Sequence, residues 1–119
     1  MSDLGPQVYV RIPSLSVQEG ASFNATLNFR QDGADVTPAA GTVKYRLDCL
    51  STGKELLDWT ATSTPTQPMD LAVISTYNDI QSASSNREKK QLTVSYNIDS
   101  NDQYTTRATW YVENLVGTP

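Results

Sequence analysis

The sequence predicts an all-β protein, and three observations support that fold class. The first is the stretch 89–116, where two runs alternate apolar and polar residues around a polar turn at 99–102. A period of two is typical of half-buried strands, because successive side chains point to opposite faces of a sheet. The second is that turn residues recur at intervals of roughly 10 residues, and the third is that no segment has a convincing helical pattern. Together they indicate a sandwich of two antiparallel sheets.

The elements follow in order along the chain. Strand one runs from Val8 to Ile12, is interrupted by Pro13, which cannot donate to a ladder, and resumes at Leu15 and Val17. Asp32-Gly33 is a strong hairpin signal. Six further strands are predicted at 23–29, 43–49, 56–59, 69–73, 89–98 and 107–113. About seven strands, with a first strand able to pair with both sheets, predict an immunoglobulin/fibronectin-III-like β-sandwich.

The chain of 119 residues is predicted to be one domain, with an N-terminal arm at 1–7, a sandwich at 8–116 and a C-terminal tail at 117–119. No segment approaches the ~20 apolar residues of a membrane span. The N-terminus lacks a basic region followed by an apolar core, so no signal peptide is predicted and synthesis in the cytoplasm is expected.

The inward-facing residues are those in phase with the apolar alternation of each strand. The predicted core consists of Val10, Phe23, Leu27, Phe29, Val43, Tyr45, Leu47, Trp59, Leu71, Val73, Leu92, Val94, Tyr96, Ile98, Trp110 and Val112. The longest irregular stretch, 75–87, is predicted to hold one helical turn around 78–82, capped by Asn78. Within it Ile80 is predicted to plug the end of the sandwich, with docking on a partner as the alternative.

Composition restricts the classes of function. A formal net charge of −4 and a pI of about 4.6 argue against binding to nucleic acids or anionic membranes, both of which need basic patches. Charged residues make up only 18% of the chain. A neutral polar surface is compatible with a wet protein–protein interface, because interfaces deplete Lys, Glu and Asp at their centres.

Residues for catalysis or metal binding are sparse. The chain has no histidine, the commonest general base and metal ligand, and Cys49 is interpreted as a small buried hydrophobe. The pairs Asp32/Asp35 and Asp99/Asp102 have the oxygen chemistry of a Ca²⁺ site, but solvated hairpin turns explain them better. We therefore predict no enzyme activity, no metal and no cofactor.

Aromatic residues suggest two kinds of surface. Trp59 and Trp110 are in phase with apolar neighbours and are interpreted as core, with a sugar-stacking platform as the alternative. Tyr9, Tyr77 and Tyr111 are out of phase or in a loop and are expected to be exposed, either at an interface or as ordinary strand residues. The candidate interface residues are Leu4, Tyr9, Arg11, Tyr77, Ile80 and Tyr111.

The second half of the chain carries a resemblance. Met69-Asp70-Leu71-Ala72-Val73 is followed by Asn78-Asp79-Ile80-Gln81, then by Asn86-Arg87-Glu88 and Thr93-Val94, and finally by Tyr111-Val112-Glu113-Asn114-Leu115-Val116-Gly117. This series resembles a family of small immunoglobulin-like proteins encoded among the structural genes of tailed bacteriophages and prophages. That family has a strand like V-D-I-T-I, a loop with N-x-I-Q and a terminal strand Y-x-V-x-N-L-x-G. Met69 and Ala72 depart mildly from the pattern.

The resemblance implies a virion structural protein without active-site residues. Its expected partners are other virion proteins of the capsid, the portal or neck, or the tail, in multiple copies of a symmetric assembly, and its expected location is the virion. Edge strands, loops and the N-terminal arm would make the contacts. The alternative function is a carbohydrate-binding or adhesin-like surface module that recognises a host glycan.

Overall fold

The computed structural model describes residues 6–81, 86–97 and 103–114. These ranges contain nine strands: β1 (Pro6–Arg11), β2 (Ser16–Gln18), β3 (Phe23–Gln31), β4 (Ala34–Asp35), β5 (Val43–Cys49), β6 (Lys54–Ala61), β7 (Met69–Val73), β8 (Arg87–Asn97) and β9 (Gln103–Glu113). A 3₁₀-helix spans Ser75–Asn78. Among these residues no helix combines the length and the apolar character needed to cross a membrane.

The strands form two sheets. In the four-stranded sheet, β3 pairs with β1, β4 and β7, all antiparallel. The five-stranded sheet has the order β2-β9-β8-β5-β6 and is antiparallel except for β2, which runs parallel to β9. The predicted all-β sandwich is therefore confirmed. Nine strands replace the predicted seven because the break at Pro13 divides the first strand and because β4 is a two-residue strand.

The first strand changes sheets as its sequence predicts. β1 pairs with β3, with Val8 opposite Phe29. After Pro13 the chain crosses over, and β2 pairs with β9, with Val17 opposite Val112. The proline removes one ladder donor at the crossing point, where no ladder bond is needed.

The hairpin signals are also confirmed. Asp32 and Gly33 adopt φ values of 55° and 83° and join β3 to β4, as expected for a two-residue turn in which both central residues have positive φ. The alternating runs at the C-terminus form β8 and β9, with Leu92 opposite Ala108. Their turn at 99–102, the predicted core residue Ile98, residues 1–5 of the predicted arm and the tail lie outside the described residues. Pro6 and Gln7, predicted as the end of the arm, belong to β1.

The core lies between the two sheets. Within the described ranges, thirteen buried apolar residues form one cluster: Val8, Ala25, Leu27, Phe29, Val43, Leu47, Leu71, Val73, Leu92, Val94, Tyr96, Trp110 and Val112. Phe29 from one sheet meets Tyr96 from the other edge-to-face, with ring centroids 5.4 Å apart. Burying each large side chain contributes about 1.5–3 kcal/mol, so this cluster dominates the stability of the fold. Most of the predicted core is confirmed, because most of its residues belong to this cluster. Val10, Phe23 and Tyr45 are half-buried and pack against it.

The prediction that Trp59 belongs to the core is wrong, because its side chain is 43% exposed. The reason is an irregularity in the pairing of β5 with β6, where Tyr45 lies opposite Thr60 but Leu47 lies opposite Leu57. Three steps along β6 thus oppose two along β5, which is a β-bulge. The extra residue reverses the alternation, so Leu57 faces inward while Trp59 faces outward.

The predicted helical turn at 78–82, capped by Asn78, is also wrong. The helical turn is the 3₁₀-helix at Ser75–Asn78, and Asp79 after it is extended, with φ −78° and ψ 146°. Asn78 does not act as a cap because its side chain is buried and bonded elsewhere. The side chains of Ser, Thr, Asn and Asp can form hydrogen bonds either with nearby backbone groups, as in a cap, or with distant groups.

Candidate functional site

A buried ion pair lies at one end of the core. Glu88 and Lys90 on β8 continue the inward face of Leu92 and Val94, and both side chains are 0% exposed. Lys90 Nζ lies 3.1 Å from Glu88 Oε1 and donates a second hydrogen bond of 2.8 Å to the carbonyl of Asp79. Isolated buried charges are costly, so the pair persists only because each charge has a partner.

Glu88 Oε1 accepts hydrogen bonds from two further donors. The backbone N–H of Gln81 donates to it at 2.7 Å, and the Cys49 Sγ lies 3.6 Å away as a weak thiol donor. Cys49 is fully buried, as expected for a small hydrophobe. The ion pair therefore binds the loop at both Asp79 and Gln81.

Asn78 ties the same loop to two more elements. Its Oδ1 accepts a 2.8 Å hydrogen bond from the Trp110 indole N–H, and its Nδ2 donates to the carbonyl of Ala21 at 2.7 Å. Its own carbonyl accepts from the backbone N–H of Gly20 at 2.9 Å. Satisfied polar groups in a low-dielectric interior hold a single geometry, because every broken bond leaves a buried group unpaired.

We name this set (Cys49, Asn78, Glu88, Lys90 and Trp110) the buried network. The sequence carries one signal for it, since Glu88 and Lys90 are in phase with Leu92, but charged residues are almost never fully buried unless they are paired. Its side chains are buried. The network is a device that holds residues 78–81 onto the sandwich.

The predicted interface residues do not form one surface. Tyr9, 48% exposed, and Arg11 project from β1 on the outer face of the four-stranded sheet, whereas Tyr111 projects from β9 on the outer face of the five-stranded sheet. Leu4 lies outside the described residues.

Tyr77 and Ile80 are half-buried and pack against the core cluster. The packing of Ile80 against the core agrees with the prediction that it plugs the end of the sandwich, and its docking on a partner stays a prediction. Tyr77 and Tyr111 are half-buried, whereas both were predicted to be exposed.

A charged cluster surrounds Tyr111. The Arg87 guanidinium lies 4.3 Å from the tyrosine ring centroid and donates to Glu113 Oε2 at 2.6 Å. Ser16 on β2 donates to the same oxygen at 3.0 Å. The hydrogen bond from Arg87, followed by that from Ser16, holds the pKa of Glu113 below its ordinary value of 4.5.

Glu113→Gln is expected to lower the Tm slightly at neutral pH and not at all in acid. A carboxylate whose folded pKa is depressed stabilises the fold above the pKa of the unfolded chain, and that stabilisation is lost as the pH falls through the folded pKa. Thermal unfolding of both proteins between about pH 7 and pH 3 measures the difference. Arg87→Gln should show the same convergence. A difference that stays constant into acid would contradict the assignment.

Three shallow concavities lie on the surface formed by the described residues. One of about 270 Å³ lies beside Phe23 and Val73, and another of about 290 Å³ lies between β6 and the 3₁₀-helix. The latter includes Glu55 and Asp79, both exposed, and Glu55 is bonded to Arg46 at 3.3 Å. The described residues contain no group of three or more Cys, Asp or Glu side chains that could hold a metal ion.

The third concavity, of about 290 Å³, lies on the outer face of the five-stranded sheet and is lined by Lys44, Trp59, Ser95 and Asn97. The Arg46 guanidinium lies 5.8 Å from the Trp59 ring centroid and is fixed by Asp48, to which it donates at 2.8 and 2.9 Å. We name the four lining residues Lys44, Trp59, Ser95 and Asn97 the Trp59 shelf. It combines one large apolar ring with three polar side chains.

Comparisons with protein-family models, with curated proteins and with solved structures find no match to this chain. What the protein does must therefore be inferred from its own residues and from the resemblance of its second half.

Proposed function

We propose that this protein is a structural component of a tailed-phage virion, at the capsid surface, the neck or the tail, and that it acts by assembly with other virion proteins. The resemblance motivates the proposal, and the structure explains its motifs physically. Asn78, Ile80, Gln81 and Glu88, which belong to those motifs, all contribute to holding the end of the sandwich. Such motifs fit a scaffold, and binding then falls to the outer surfaces.

The observation that carries the proposal is the edge formed by β1. Among the described strands β1 hydrogen-bonds only to β3, so its other backbone edge has no ladder partner within the described residues. Free edges recruit strands of other chains, and native proteins usually protect them. Here Tyr9, of a residue type enriched at interfaces, projects beside that edge together with Arg11. Many copies on a symmetric particle would convert a modest contact into stable attachment.

Reconstitution tests the proposal. Particles produced without this protein are incubated with purified chain and sedimented, and the wild type is expected to sediment with them at a fixed copy number. Tyr9→Ala/Arg11→Ala should weaken binding by about tenfold or more, because aromatic and arginine side chains dominate interface energies. Leu50→Ala, which truncates another exposed apolar side chain, is the control and should bind normally.

The outcomes separate two claims. Wild-type chain that stays in the supernatant would contradict the virion assignment. Equal binding of the double variant and the wild type would leave attachment intact and exclude the β1 surface as its site.

A further inference from the structure

The Trp59 shelf places an exposed indole ring beside polar neighbours. The bulge in β6 turns the indole outward onto the sheet face, where 43% of the residue remains exposed. The neighbouring β5 and β8 contribute Lys44, Ser95 and Asn97, since Lys44 lies opposite Ser95 in the register. An exposed tryptophan is costly to hydrate, and a ligand that covers it recovers that free energy.

Two polar groups of the shelf, those of Asn97 and Lys44, can donate hydrogen bonds to a ligand. Ser95 Oγ donates to Asn97 Oδ1 at 2.9 Å, which occupies the amide oxygen and leaves the Asn97 NH₂ available. Lys44 is exposed and forms no salt bridge within the described residues, whereas its neighbour Arg46 is bound to both Asp48 and Glu55. Among the described residues the shelf thus offers an apolar ring, the Asn97 NH₂ as a neutral donor and one cation without a salt-bridge partner.

We propose that the Trp59 shelf binds a pyranose ring of an acidic polysaccharide. The apolar C–H face of the sugar would stack on the indole, one hydroxyl would accept a hydrogen bond from the Asn97 NH₂ and donate one to Ser95 Oγ, and the carboxylate would pair with Lys44. A ligand without a ring would leave Trp59 exposed, and a neutral sugar would leave the cation unused. Charge-assisted hydrogen bonds are about twice as strong as neutral ones, so Lys44 sets the preference for acidic sugars.

The position of the shelf adds a consequence for the particle. Tyr9 projects from the outer face of the four-stranded sheet and Trp59 from that of the five-stranded sheet, so the two surfaces lie on opposite sides of the sandwich. Attachment through β1 would leave the shelf pointing away from the particle. A single ring of this size is expected to bind in about the millimolar range, and many copies would supply avidity.

NMR titration of the isolated chain tests the shelf independently of any particle. The two indole N–H signals separate the site from the core, because Trp59 is exposed and Trp110 is buried. The probes are an oligoglucuronate, a neutral glucose oligosaccharide and polyglutamate. Oligoglucuronate should shift the Trp59 signal and leave that of Trp110 in place, and it should bind about tenfold more tightly than the neutral sugar.

Two variants complete the test. Trp59→Ala should abolish binding of both sugars, and the unchanged Trp110 signal reports that the fold survives. Lys44→Gln should remove the preference for the acidic sugar, whereas Lys54→Gln, at an exposed lysine outside the shelf, should retain it. The proposal is overturned if neither sugar shifts the Trp59 signal, if polyglutamate shifts it equally, or if Lys44→Gln keeps the preference.

Discussion

Replacing Lys90 by methionine is expected to lower the free energy of unfolding by about 3–5 kcal/mol, because it leaves the carboxylate of Glu88 buried without its counter-charge. Both side chains are 0% exposed, so water cannot replace the missing partner. The substitution also removes the hydrogen bond to the Asp79 carbonyl. Urea unfolding followed by circular dichroism measures the effect, and Lys54→Met, at an exposed lysine, should change stability by no more than about 0.5 kcal/mol.

The double variant Glu88→Gln/Lys90→Met distinguishes a lost charge partner from a lost packing contact. Glutamine keeps an acceptor for the N–H of Gln81 and carries no charge, so most of the cost should be recovered. Replacing whole buried ion pairs by neutral groups is often close to neutral in free energy. If the double variant is as unstable as Lys90→Met, the penalty comes from packing, and the interpretation of the pair is wrong.

Asn78→Ala is expected to cost about 2–4 kcal/mol, since it removes two buried hydrogen bonds and leaves the Trp110 N–H and the Ala21 carbonyl without these partners. In addition, the Gly20 amide should exchange faster with solvent, because its acceptor is the carbonyl of Asn78. Urea unfolding gives the global effect, and hydrogen exchange followed by NMR gives the local one. Asn24→Ala, on the exposed face of β3, is the control.

The contribution of the indole is isolated in a Trp110→Phe background. Phenylalanine has no N–H to leave unsatisfied, so Asn78→Ala should cost about 1–2 kcal/mol less there. Equal costs in the two backgrounds would show that Asn78 and Trp110 are not coupled.

The strand pattern of the sequence was sufficient for the sandwich because most side chains keep a strict period of two. Leu92, Val94 and Tyr96 are buried as the alternation predicts, and the Asp32-Gly33 turn adopts the backbone that its residue types favour. Pattern reasoning failed where one residue is inserted, at the bulge that turns Trp59 outward. Nothing in the residues of β6 marks that bulge, since it arises from how β5 and β6 pair.

The buried network shows a second limit. Glu88 and Lys90 fit the inward phase, but charged residues are almost never fully buried unless they are paired, and pairing is a tertiary property. Their partners come from the loop around Asn78 and from Cys49 on β5, so no local pattern could bring them together. Function was less accessible still, because the surfaces at Tyr9 and Trp59 carry no motif and are defined only by edge position and register.

Cryo-electron microscopy of the purified phage particle is the most direct test of the proposed virion role. The sandwich should be found at symmetric positions on the capsid, neck or tail, attached through its four-stranded sheet near β1, with the Trp59 shelf directed outward. Particles that form completely and contain no copy of this chain, in the map or by mass spectrometry, would contradict the proposal.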